Sequence, residues 1–105
     1  MDNKSKVILT ELKTCLQDRV SLNRLILFGS RAREDFDRDS DLDVLVVVEE
    51  INPAIEKIIS RCAWEAGFKH GVLIVPVIYS RSEWEDGPER SSLLALAVDR
   101  EGVAV

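Results

Sequence analysis

Asp41 and Asp43 stand two residues apart at the mouth of a valine-rich run, and Gly29-Ser30 closes an apolar run upstream, with ten residues between Ser30 and Asp41. In an extended chain alternate side chains share a face, so Asp41 and Asp43 project together while Leu42 and Val44 project the other way. Two carboxylates held in one small volume repel unless one is protonated or a cation lies between them. A hard divalent ion such as magnesium takes oxygen ligands and suits that position. At Gly29 the missing Cβ lets backbone approach a phosphate closely, Ser30 brings a hydroxyl, and N–H groups opening a helix face an anion favourably. The combination predicts a metal-triphosphate site, with Gly29 and Ser30 facing the phosphates and Asp41 and Asp43 holding the metal. Each half alone says little, since Gly-Ser is also an ordinary turn and Asp-x-Asp an ordinary polar pair.

These residues need elements to position them. Ile8, Leu12, Cys15, Leu16 and Val20 recur at helical spacing and predict an amphipathic helix over residues 3–19. Leu22 to Phe28 reads as a strand that runs into Gly29-Ser30, a breaker pair able to end it and open a short helical turn. From Arg31 to Ser40 the chain is almost wholly polar. From Leu42 to Val48 it is almost wholly apolar, as in a strand buried on both faces. Asn52 as N-cap and Pro53 at the first helical position open a helix carrying Ile55, Ile58, Ile59, Cys62, Ala63 and Ala66, with Gly67 as its stop. Val72 to Tyr79 reads as a third strand, which Pro76 assigns to an edge or a bulge. Ser91 or Ser92 caps a last helix through Leu93, Leu94, Ala97 and Val98 to Gly102. Helices alternating with a few strands predict an α/β (α+β) fold, a small mixed sheet of about three or more strands flanked by helices.

Composition narrows the partners. A chain of 105 residues, 46% hydrophobic and 31% charged, suits one core, so residues 1–105 are expected to form a single domain. The formal net charge of -5 argues against holding a long nucleic acid on a broad basic face. Cys15 and Cys62 lie in apolar helical patterns without metal-ligand spacing and are expected as buried thiols. With no secretory signal and no apolar run near the roughly 20 residues that span a bilayer, a cytoplasmic protein is expected.

The ordered combination of apolar strand, Gly29-Ser30, polar interval, Ser40-Asp41-Leu42-Asp43 and apolar strand, standing here as GSRAREDFDRDSDLDVLVVV, resembles the DNA polymerase beta-like nucleotidyltransferase superfamily, and in particular its minimal nucleotidyltransferases. The likeness continues more loosely to Arg100-Glu101-Gly102. It implies a nucleotidyltransferase fold in which Gly29 and Ser30 hold the triphosphate and Asp41 and Asp43 bind magnesium and serve as the catalytic carboxylates. The implied reaction passes a nucleoside monophosphate, AMP from ATP, to an acceptor and releases pyrophosphate. Two departures stand out: Glu34 occupies a place where relatives often have glycine, and is expected to face solvent, and the third carboxylate that catalytic members carry on the next strand is missing from Val72 to Tyr79, where Val75 or Pro76 falls at its place. Minimal members often pair with a HEPN-domain protein as the antitoxin of a toxin-antitoxin system. The resemblance therefore implies a protein acceptor. A binding module that neutralises its partner by contact alone, and transfer to a small molecule, are the alternatives, and either a homo- or a hetero-oligomer is compatible with the sequence.

Competing patterns fall away. Asp37, Asp39 and Asp41 alternate like the start of a calcium loop, but Leu42 and Val48 stand where glycine and glutamate belong. An aspartate-nucleophile phosphatase resembles the reverse order, with its carboxylates after an apolar strand. Arg31 and Arg33 suit phosphate chemically, yet on a polar loop solvation is the simpler expectation. His70 beside Gly71 is expected in a loop or capping role, Trp64 in packing, and Trp84, within the acidic stretch Glu83 to Glu89, in local packing.

Overall fold

The apolar runs of the sequence become the strands of a mixed sheet, and its helical repeats become the cover. The computed structural model describes residues 1–33 and 41–105. Along the chain lie α1 (Asn3–Arg19), β1 (Leu22–Phe28), the short α2 (Ser30–Arg33), β2 (Leu42–Val48), α3 (Pro53–Lys69), β3 (Ile74–Ser80), α4 (Arg81–Asp86), a 3-10 turn (Pro88–Ser91), α5 (Leu93–Glu101) and β4 (Val103–Ala104). The sheet order is β3-β2-β1-β4. Strand β1 runs antiparallel to both β2 and β4, whereas β2 and β3 are parallel. A parallel pair cannot be joined by a tight turn, and α3 supplies the crossover.

Local chemistry accounts for the long helices. Asp2 caps α1 by accepting the Ser5 N–H, and the helix buries Ile8, Leu9, Leu12 and Leu16. Asn52 caps α3 by accepting the Ile55 N–H, Pro53 follows at the first position, and Ile59, Cys62, Ala63 and Ala66 are buried. Both helices cover one sheet face, against Leu25, Leu27, Leu42, Val44, Val46 and Val48. The other face carries Leu45 and Val47 beneath Trp84, Ala95 and Val98. Burial on both faces is why β2 reads as one apolar run.

Pro76 lies on an edge strand, as expected. The Leu42 N–H donates to the Leu73 carbonyl at 2.9 Å, so the odd-numbered residues of this segment direct their backbone polar groups toward β2. Even-numbered Pro76 points to the free edge, where a missing N–H breaks no ladder bond and discourages pairing with another chain.

Several expectations are corrected. The third strand begins at Ile74 and ends at Ser80. Helix α3 passes through Gly67 to Lys69, with His70 as its C-cap; the glycine is there because a Cβ would collide with the Val72 carbonyl oxygen. Trp84 lies on α4 and is buried, so its expected packing role holds. Trp64, expected to pack, is 61% exposed and stacks on Phe68 with ring centroids 4.7 Å apart. Cys15 and Cys62, expected as thiols, form a disulfide between α1 and α3. Among the described residues no helix is long and apolar enough to cross a membrane.

Candidate active site

Antiparallel pairing brings the end of β1 to the start of β2. Phe28 pairs with Asp43, and Gly29 therefore turns the chain at the same corner. Its φ of 79° lies where side-chain-bearing residues are disfavoured, and a Cβ at this position would stand 2.6 Å from Asp43 Oδ2. Glycine is thus required by the turn and by the carboxylate beside it. The Gly29 carbonyl accepts the N–H groups of Ala32 at 3.1 Å and Arg33 at 3.2 Å, so α2 starts at once, with half-buried Ser30 as its first residue.

The strand pleat aims Asp43 at the same face as Leu45 and Val47, and it sits half-buried while Asp41 is exposed just before β2. Burial, and then the charge of Asp41, push the Asp43 carboxyl above the ordinary carboxylate range. Each causes the ionised form to be disfavoured, which is the condition that a shared proton or a cation relieves. The structure accordingly brings Gly29 against Asp43, places Ser30 next in the chain, and puts Asp41 within electrostatic reach of Asp43.

The β2-β3 register decides between the two positions considered for a third carboxylate. Val75 pairs with Asp43, whereas Pro76 pairs with Val44. Val75 therefore occupies the place beside Asp43 on its face, and it cannot coordinate a cation or accept a proton. Among the described residues, no group of three or more His, Cys, Asp or Glu side chains gathers as a metal site. Glu34, expected to face solvent, and Asp37, Asp39 and Ser40 lie outside the described residues.

Arg31 departs from the solvated loop expected of it, whereas Arg33 stays exposed, as expected. Arg31 is 1% exposed and donates from Nη2 to Ser5 Oγ at 3.0 Å. Arg33 Nη1 donates to Glu101 Oε2 at 2.9 Å. Sequence reasoning missed Arg31 because a charged residue inside a polar run carries no burial signal. His70 keeps its capping role, with Nε2 3.1 Å from Glu11 Oε2.

The mixed sheet with its helical cover is the fold of a transferase of nucleotides. The chain matches the family described as nucleotidyltransferase domain over residues 9–98, and it belongs to that family and to that class of enzyme. Over 73 residues it is 42% identical to a protein of Methanocaldococcus jannaschii named "Putative protein adenylyltransferase MJ0141", which spans 69% of this chain and 72% of that one. Among solved structures it is similar to a toxin-antitoxin with AMP-PNP, with a TM-score of 0.61 and 20% identity over 98% of this chain and 72% of that one. It is also similar to a toxin-antitoxin MntA-HpeT carrying two Asp-to-Glu substitutions, with a TM-score of 0.59 and 19% identity over 98% of this chain and 71% of that one. At these identities the two structures share the fold.

Proposed function

We propose that residues 1–105 act as one magnesium-dependent nucleotidyltransferase domain that moves AMP from ATP onto a partner protein, such as a HEPN-type toxin. The observation that carries this reading is the packing of Gly29 against the Asp43 carboxylate, which puts a phosphate-compatible turn and a strained carboxylate pair at one corner. The name of the M. jannaschii relative, a protein adenylyltransferase, supports the reaction and the class of acceptor. The AMP-PNP of one structural neighbour supports the nucleotide. In another neighbour the two replaced aspartates have the same two-residue spacing as Asp41 and Asp43.

The residues fit a divalent ion. Asp41 and Asp43 offer hard oxygen donors, and the elevation of the Asp43 carboxyl is what a nearby cation reverses. Bound there, magnesium would neutralise phosphate charge. Gly29 and Ser30 hold the triphosphate through backbone and hydroxyl. An acceptor oxygen then forms a bond to the α-phosphorus as the bond from that phosphorus to the bridging oxygen breaks. Pyrophosphate leaves with the electron pair, and the acceptor proton passes to solvent or to a base on the acceptor. A cytoplasmic setting, where ATP is available, goes with this reading.

Val75 favours one second reading: a nucleotide-binding antitoxin that neutralises its partner by contact, without transfer. Intact masses separate the two. The protein, purified with the partner it binds in its host, is given ATP and magnesium as wild type and as Asp41→Asn. An AMP adduct on the partner with wild type alone establishes transfer. Magnesium-dependent ATP binding with no adduct on an initially unmodified partner establishes the contact reading.

A further inference from the structure

Arg31 is the largest fully buried side chain among the described residues, and nothing in the chemistry above uses it. A guanidinium stays charged at any physiological pH, so removing it from water is tolerated only when hydrogen bonds and opposite charge compensate. Its Nε and Nη2 both donate to Ser5 Oγ, at 3.3 and 3.0 Å. Ser5 Oγ in turn donates to Asp2 Oδ1 at 2.6 Å, and Asp2 Oδ2 accepts the Ser5 N–H at 3.1 Å as the cap of α1. Burial pushes the Asp2 carboxyl up, but the two bonds from Ser5 and the charge of Arg31 hold it below its ordinary value.

The other end of this relay is α2. A helix of four residues is too short to hold itself, because the cost of its first turn is not recovered by propagation. Its direction has to come from outside. Arg33 gives one tether, to Glu101 at 2.9 Å, but both partners are partly exposed, and such pairs contribute little. The buried tether through Arg31 is the stiff one.

We propose that Arg31 is a positioning residue, which through Ser5 and Asp2 locks the Gly29-Ser30 turn onto the N-terminus of α1 and so fixes the turn's orientation toward the nucleotide. This rests on the reading of that turn as a triphosphate cradle. Ser5, fully buried on the first turn of α1, has a matching role: its hydroxyl is the joint between the cap of one helix and the guanidinium of another. A cradle loosened by a fraction of an ångström binds less well even where every group that touches the ligand is retained.

The test is a titration of the full chain with AMP-PNP in the presence of magnesium, with thermal midpoints measured alongside. The variants are Ser5→Ala, Arg31→Lys and the two combined, with Ile59→Val in α3 as a control that loses stability away from the turn. Roughly tenfold weaker binding is expected for each single variant, with the double losing less than the two singles added together, because both interrupt one relay. Ile59→Val should lower the midpoint and leave affinity unchanged. Should Ser5→Ala lower the midpoint but bind as wild type does, the relay through Ser5 does not position the turn and the proposal is overturned, even if Arg31→Lys fails to fold. Additive losses in the double variant overturn the relay. If wild type itself does not bind AMP-PNP, the cradle reading falls, and this inference falls with it.

Discussion

Gly29 and Asp43 constrain each other. A side chain at Gly29 meets both an unfavourable φ and the Asp43 carboxylate, so Gly29→Ala is expected to destabilise the protein by about 1–3 kcal/mol and to abolish nucleotide binding, as read by urea unfolding and by titration. Asp43 carries the opposite tension. Its folded-state carboxyl is raised above the ordinary 3.8, so between that value and the folded one the native state binds more protons than the unfolded state and stability falls as pH rises. Asp43→Asn removes the penalty. The metal-free variant should match wild type in acid and exceed it progressively as pH climbs through that window, with the higher melting midpoint at neutral pH. Equal midpoints at neutral pH would mean that the carboxylate pair is not strained. Magnesium should raise the wild-type midpoint and not that of the variant.

At the level of elements, the β2-β3 register places Val75 beside Asp43. Val75→Asp should therefore lower the stability of the metal-free protein, by adding a third like charge, and enlarge the magnesium-dependent rise in its midpoint; the same change at Pro76, on the opposite face, should not enlarge that rise. Comparing the two midpoint rises checks the register directly. Long periodic elements were legible in the sequence: α1, β1, β2 and α5 lie where their apolar spacing and caps predict. The short ones were not. Six residues of α4 give too few turns for a periodic signal, and its only mark is the Ser80-Glu83 capping box. Two residues of β4 are a strand only because β1 offers an edge. Gly67 was read as a stop because its cause, the close approach of Val72, is a tertiary contact. Of the site, the Gly-Ser turn and the aspartate pair were visible from residue type and spacing. The burial of Arg31 was not, because it depends on where α1 begins in space.

Across the whole molecule the sheet separates two jobs. One face, under α1 and α3, holds the larger core and the Cys15–Cys62 cross-link; the other, with Trp84 and α5, borders the corner where Asp43 lies. Cys15 and Cys62 are 47 residues apart in the chain, and closing a loop of that size removes unfolded-state entropy equivalent to about 4 kcal/mol in the chain-entropy view. In a reducing compartment that contribution is lost. Because the link joins the helices of the face remote from Asp43, its loss should be felt by the fold and hardly by the corner. Reductant is expected to lower the melting midpoint of wild type while leaving the affinity for magnesium and AMP-PNP within about twofold, measured well below the reduced midpoint. Cys15→Ser should melt at the reduced wild-type temperature and ignore reductant. A loss of affinity on reduction, with the fold intact, would instead show that the two faces are coupled, most directly through α1, which carries Cys15 toward one end and, at the other, Ser5 in contact with Arg31.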